Sequence, residues 1–164
     1  MIHKFNISFL TMFGIGESMY APGTIASLVT CIIYIFCFNF GINIAFLIFL
    51  NFVLCIYSVI LIDKYARRFD SIDAKEIVID EFIGQSIPLL SIYAIFSENF
   101  FGQYIMFTLV SFLTFRFFDI LKPFPINIID KRLKNGFGVL LDDIIAGVFS
   151  SIIILIILFV ISDV

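Results

Sequence analysis

An all-α helical bundle embedded in a membrane is the fold class this sequence predicts, and three observations lead there. Of its 164 residues, 62% are hydrophobic and only 14% are charged, whereas a soluble domain is about 45–50% apolar and about 25% charged. The apolar residues gather into runs separated by short polar links, and the charges are confined to a few of those links. The length fits one compact domain over 1–164. Ten Lys and Arg against thirteen Asp and Glu leave a net charge of -3, with no basic excess to neutralise nucleic-acid phosphates. Cys31, Cys37 and Cys55 all lie inside apolar runs and read as small buried hydrophobes, not as a redox or metal set.

The chain opens on a short apolar stretch, Phe5 to Phe13, with no small-residue cleavage site after it, so it does not read as a signal peptide. Gly14-Ile15-Gly16 and Ala21-Pro22-Gly23-Thr24 then form a glycine-containing loop. Such a loop can offer backbone N–H groups to a phosphate at a helix N-terminus; an ordinary turn with Thr24 as N-cap explains it equally well. Five apolar runs follow: Thr24 to Phe38, Ile44 to Ile62, Phe82 to Phe96, Tyr104 to Phe118 and Ile144 to Ile161. A membrane-crossing helix needs about 17–25 residues. The second and fifth runs satisfy that alone. The first, third and fourth need flanking residues, local thinning or partial insertion, and Gly84, Gln85, Ser86 and Pro88 weaken the third further. The expectation is about five apolar helices, some short or partly inserted.

Charge placement orients them. Lys4 precedes the first run; Lys64, Arg67, Arg68 and Lys75 lie between runs two and three; Arg116, Lys122, Lys131, Arg132 and Lys134 end run four or follow it. Five crossings with the N-terminus inside put all ten bases on one face, as the positive-inside rule asks. Eleven of the thirteen acids join them; only Glu98 and Asp163 lie elsewhere. Asp63, Asp70, Asp73 and Glu76 alternate with the bases of the 63–76 link and read as a solvated amphipathic stretch.

Other acids sit at the edges of apolar runs. Asp80-Glu81 opens run three, Asp119 closes run four, and Asp142-Asp143 opens run five. Carboxylates at a membrane boundary cost free energy unless paired, hydrated or bound to cations, and adjacent pairs repel. In a bundle these run ends meet at one level, gathering five carboxylates, and hard oxygen ligands suit Mg²⁺ bridged to a phosphate. Helix capping explains one residue of each doublet. It does not explain Asp119, near a helix C-terminus where negative charge is disfavoured. Arg116 and Asp119, three apart, share a helix face. Pro123 ends run four near Leu121 and leaves Lys122 on a stiff exit. Arg binds phosphate bidentately and Lys as a point charge, although Arg116 could equally snorkel and Lys131, Arg132 and Lys134 could hold anionic headgroups.

Absences prune the phosphate chemistry. His3 is the sole histidine and reads as a loose terminal residue, so a paired-histidine phosphatase is out. No cysteine nucleophile is followed by an arginine, Asp70-Ser71-Ile72-Asp73 is not a DxD site, and there is no P-loop. The surviving motifs resemble the phosphatidylglycerophosphatase A family. The resemblance rests on the 14–24 loop and on Ile77-Val78-Ile79-Asp80-Glu81-Phe82-Ile83-Gly84. It rests also on Phe115-Arg116-Phe117-Phe118-Asp119 through Pro125, and on Gly136-Phe137-Gly138-Val139-Leu140-Leu141-Asp142-Asp143 through Gly147. These blocks stand in family order, and the resemblance covers about residues 11 to 160. Met19, Ala26 and Ala74 depart from the family pattern without removing an acid or base.

The resemblance implies a compact helical bundle and Mg²⁺-dependent removal of the terminal phosphate from phosphatidylglycerophosphate at the cytoplasmic face of a bacterial inner membrane. Asp80, Glu81, Asp142 and Asp143 are then expected to hold the metal. Asp119 is expected to complete its shell or act as base, Arg116 and Lys122 to grip the phosphate, and Thr24 to help seat the headgroup. The partners are a phospholipid substrate and the bilayer. A small ion-coupled transporter is the competing class. It would carry its acids near mid-span, and here they sit at span ends.

Overall fold

The computed structural model describes residues 2–65, 69, 74–96 and 101–162. Arg67, Arg68, Asp70, Asp73, Glu98 and Asp163 lie outside the described residues. Within them the chain folds as seven α-helices and one 3-10 turn, with no strand. These are α1 (Ile2–Leu10), the 3-10 turn (Ile15–Glu17), α2 (Pro22–Asn39), α3 (Ile44–Tyr65), α4 (Ile79–Ile95), α5 (Phe101–Leu121), α6 (Ile126–Arg132) and α7 (Gly136–Ser162). The five apolar runs become α2, α3, α4, α5 and α7.

Runs one and four, expected to be short, lengthen through their flanks: α2 reaches 18 residues and α5 reaches 21. With α3 and α7 they make four helices long and apolar enough to cross a membrane. The outward faces carry the apolar load. On α3 alone Phe46, Ile48, Phe49, Phe52, Val53, Ile56 and Ile60 are exposed, a continuous hydrophobic surface of the kind that marks contact with lipid.

With 17 residues, α4 is the shortest of the five. It occupies the middle of the bundle, packed on α7, α2, α3 and α5. Backbone and side-chain polar groups have no water to turn to inside a bilayer, so a helix carrying Gln85, Ser86, Pro88 and Ser91 is shielded by others. Its hydrogen bonds go to its neighbours. Asn51 Nδ2 donates to Ser86 Oγ (2.5 Å), Gln85 Nε2 to Ser111 Oγ (3.2 Å) and Ser91 Oγ to Ser151 Oγ (3.3 Å). Each such interhelical bond in a membrane bundle is worth about 0.6 kcal/mol.

The tightest crossing joins α4 to α7. Pro88 has no N–H to give the carbonyl of Gly84, four residues earlier, and that carbonyl points at Gly147 of α7. A Cβ on Gly147 would collide with Gly84 O, and one on Gly84 would lie 2.7 Å from Asp143 O and 2.8 Å from the Phe115 ring. Glycine at both positions lets the two backbones touch.

Contacts at each end tie the long helices together. At one end Tyr93 donates to the carbonyls of Cys37 and Ile42 (3.0 and 2.5 Å), and Phe38 stacks on Tyr104 at 3.8 Å. At the other, Asp63 Oδ1 accepts the Gly136 N–H at 2.5 Å, and Val78 N–H donates to Leu10 O at 3.0 Å. Asp63, expected only to solvate a loop, thus caps the start of α7. His3 is not loose either: its Nδ1 lies 2.8 Å from Tyr65 Oη, beside the Asn6 Nδ2 bond to the same hydroxyl, and so pins α1 to α3. Cys31 is buried and Cys37 and Cys55 partly so, all as free thiols.

Gly147→Val and Gly84→Val should each lower the thermal midpoint in detergent, since over-packing a fitted contact costs about 1–3 kcal/mol. Gly102, whose added Cβ meets nothing within 4 Å, supplies the control: Gly102→Ala should hold or raise the midpoint.

Candidate active site

The site end of the bundle is assembled from the first turn of α4, the last turns of α5, the second and third turns of α7 and the N-terminus of α2. Asp80 and Glu81 lie in the first turn of α4. The sequence places Asp142-Asp143 at the start of a run, but α7 begins at Gly136, so both acids stand about two turns inside it. A helix dipole acts only over the first turn. Capping therefore does not account for them, and both are buried, Asp142 at 6% exposure and Asp143 at 4%.

The crossing at Gly84 and Gly147 draws three of these acids together. Asp80, Glu81 and Asp143 each offer an oxygen within 4.8 Å of the others. Glu81 Oε2 is buried without a hydrogen-bond partner among the described residues. Asp119, from α5, borders the same group through Arg116: the Arg116 Nη1 that pairs with Asp119 lies beside Gly23, which also abuts Glu81 Oε1. The Asp119 carboxylate pairs with Arg116 one turn earlier, which offsets the unfavourable end of α5. Close, buried oxygens of like charge form the donor set a hard divalent cation uses. Mg²⁺ fits these residues, with Asp80, Glu81 and Asp143 as the group able to hold it.

Two expected residues fall differently. Asp142 directs Oδ2 to Lys122 Nζ at 2.6 Å, and the same ammonium donates to Asp130 Oδ1 at 2.8 Å. Lys122 thus ties α7 to α6, while Asp80, Glu81 and Asp143 form the close set beside it. Lys122 itself adopts a left-handed backbone (φ 42°) just past α5, whose end at Leu121 agrees with the stop expected before Pro123. Asp130 gave no signal in the sequence because its partner is eight residues back across a proline turn. Burial alone would lower the Lys122 ammonium, but its bonds to Asp130 and Asp142 outweigh that and hold it above the usual lysine range. The hydrogen bond from Lys122 holds the Asp130 carboxyl below its usual range, against a smaller opposing effect of burial.

Thr24 is not the N-cap of α2. Ala21 takes that position in a left-handed conformation with no side-chain cap, and Pro22 opens the helix. Thr24 lies in the first turn, half-buried. The residue that touches the site is Gly23. A Cβ there would overlap Glu81 Oε1 and come within 3.3 Å of Arg116 Nη1, so the N-terminus of α2 closes over the Glu81 carboxylate, where its dipole favours negative charge. Gly16 packs on the Glu76 carbonyl in the same manner and seats the loop against the chain leading into α4. Lys131, Lys134 and Arg132 remain exposed.

What gathers here is an acidic pocket edge with one guanidinium, at the end of an apolar bundle. The acids can hold a divalent cation, and Arg116 can pair with an anion that competes for it. The family model described as phosphatidylglycerophosphatase A matches residues 8–158. A Haemophilus influenzae phosphatidylglycerophosphatase A is 40% identical over 87% of this chain and 82% of its own. The Escherichia coli K12 phosphatidylglycerophosphatase A is 33% identical over 85% of this chain and 75% of its own. A Bacteroides thetaiotaomicron protein named "Putative phosphatidylinositol-3-phosphatase" is 33% identical over 88% and 87% respectively. No solved structure matches the chain significantly.

Removing Lys122 takes an ammonium away from the buried Asp142 carboxylate and from Asp130. Lys122→Met should destabilise the protein by about 2–3 kcal/mol, below the about 3–5 of a fully buried pair because Lys122 is 28% exposed. The raised Lys122 supports stability up to high pH and loses it only above the ordinary lysine range. The lowered Asp130 supports it above the ordinary aspartate range and loses it only on strong acidification. The difference in thermal midpoint between wild type and Lys122→Met should therefore stay flat from about pH 5 to about pH 9.

Proposed function

The chain belongs to the phosphatidylglycerophosphatase A family, and on that premise we propose that it removes the terminal phosphate of phosphatidylglycerophosphate, giving phosphatidylglycerol in phospholipid biosynthesis. The observation that carries this reading is the meeting of Asp80, Glu81 and Asp143 within 4.8 Å, next to the Arg116–Asp119 pair, at the membrane-boundary end of the bundle. As a phosphatase of this family, the protein is a phosphoric monoester hydrolase. The enzyme works at the cytoplasmic face of a bacterial inner membrane; the described bases all cluster at the site end, which supports that orientation.

Asp80, Glu81 and Asp143 would hold Mg²⁺, which would polarise the phosphoryl oxygens and lower the pKa of bound water. Arg116 turns from Asp119 toward the substrate's phosphate and balances charge on its equatorial oxygens as the ester bond breaks. Released from that pair, Asp119 can take the proton of the attacking water. Asp142, fixed by Lys122, holds the second turn of α7 in register so that Asp143 keeps its place. Thr24 and the N-terminus of α2 border the headgroup, and the apolar helices keep the diacyl tails in the bilayer. The Bacteroides relative's name favours a second reading, in which the headgroup is a phosphoinositide.

Phosphate release from phosphatidylglycerophosphate and from phosphatidylinositol 3-phosphate in detergent micelles separates the two. The first should be the faster, should need Mg²⁺, and should stop with EDTA. Asp80→Asn, Asp119→Asn and Asp143→Asn should each reduce kcat by about 100-fold or more. Full activity in Asp143→Asn contradicts the proposed site, and preference for the inositol lipid contradicts the proposed substrate.

A further inference from the structure

An apolar groove of about 360 Å³ lies beside the acidic site and takes no part in it. It is lined by Phe82 of α4, Val29 and Ile33 of α2, Leu54 of α3, and Met12 and Phe13 of the loop after α1. Its size falls in the range of small-ligand pockets, about 300–1,000 Å³, yet it offers no polar group to orient a ligand in the usual way.

Three features of this groove bear on its occupant. First, α2 and α3 are joined by a short turn and each packs chiefly on other helices, both of them on α4. A slot is therefore left between them, continuous with the lipid-facing surface that Ile32, Ile33 and Phe36 of α2 and Phe49, Val53 and Ile56 of α3 expose. Second, Met12 and Phe13 both hold left-handed backbones (φ 46° and 57°), a conformation costing bulky residues about 1–3 kcal/mol each and found where a loop is held for function. Phe13 is 76% exposed at the mouth. Third, Ile79, also on the groove, and Phe82 bracket Asp80 and Glu81 in sequence. Residues three apart share a helix face, whereas Asp80 lies about 100° round from Ile79. The groove and the carboxylate cluster thus flank the same turn of α4 on different sides, about one helix diameter apart, 10–12 Å.

From this placement we infer that the groove is the acyl-chain subsite of the enzyme, holding one fatty chain of the lipid whose phosphate is cleaved at Asp80, Glu81 and Asp143. The inference rests on the lipid-phosphatase reading above. The chain enters sideways from the bilayer between α2 and α3, and the head crosses the N-termini of α2 and α4 to reach the acids. Such a geometry suits a lipid whose reacting phosphate is terminal, set off from the acyl esters by a glycerol, a phosphodiester and a second glycerol. It disfavours phosphatidic acid, whose phosphate sits one glycerol from the chains and cannot span the turn while a chain fills the groove.

Val29→Phe fills the slot without touching the acids. In the full-length protein it should lower kcat/KM for dipalmitoyl phosphatidylglycerophosphate about tenfold or more and for the dibutanoyl analogue less than twofold. Unaltered loss-free turnover of the dipalmitoyl lipid by the variant overturns the subsite. An independent measurement uses the wild-type chain: dipalmitoyl phosphatidylglycerophosphate bearing a diazirine near one chain end is photolysed in mixed micelles and the adducts are mapped. Adducts should fall on 12–15, 29–33 and 54; adducts confined to the outer faces of α3 and α7 overturn the proposal. A wild-type protein that releases phosphate from neither substrate refutes the reading of the acidic site, and the adduct map still decides the groove.

Discussion

The backbone contact between α4 and α7 is the constraint on which the rest depends. Pro88 leaves the Gly84 carbonyl without its helical donor, Gly147 offers that carbonyl a surface with no side chain, and the two helices close to backbone distance. One turn above the contact on α4 stand Asp80 and Glu81; one turn above it on α7 stands Asp143. Acids on separate helices reach one another only because nothing larger than hydrogen separates the helices below them. A membrane bundle has little hydrophobic force pressing its helices together, so close packing of small residues and a few interhelical hydrogen bonds do this work. Ser86, Gln85 and Ser91 supply those bonds from the same helix.

That arrangement sets up an electrostatic imbalance. Five carboxylates, Asp80, Glu81, Asp119, Asp142 and Asp143, gather at one end of the bundle; Arg116 pairs with Asp119, and Lys122 divides its charge between Asp142 and Asp130. The N-terminus of α2 over Glu81 contributes partial positive charge, but less than the deficit. A divalent cation would supply the missing charge, and the charge of a phosphate ester would then be accommodated by Arg116. Asp142 is neutralised locally by Lys122, and Asp80, Glu81 and Asp143 form the close set beside it.

Much of this was legible in the residues, for identifiable reasons. Hydrophobic runs and the one-sided placement of charge mark the helices and their direction, because a bilayer punishes any other arrangement. Asp119 stands at the wrong end of a helix for its charge, which marks it as a site residue from the sequence alone. The boundaries were harder. Gly136 to Asp142 is not obviously helical, since Gly136 and Gly138 resist helix formation locally; Asp63 reaching across from α3 caps that start, and such a partner has no sequence signature. Lys122 binding Asp130 and Asp142, and His3 binding Tyr65, are likewise long-range pairings that spacing along the chain does not encode. The glycines of the family-like motifs stood in view, but their role as points of backbone contact emerged only from packing.

The central claim, that Asp80, Glu81 and Asp143 form one divalent-cation site, is tested most directly by binding without turnover. Titrating Mn²⁺ into the detergent-solubilised protein and following the free-ion signal by electron paramagnetic resonance should reveal a site that Mg²⁺ displaces, and Asp143→Asn should weaken it by about 10-fold or more. Tight Mn²⁺ binding left unchanged in both Asp80→Asn and Asp143→Asn would contradict the account.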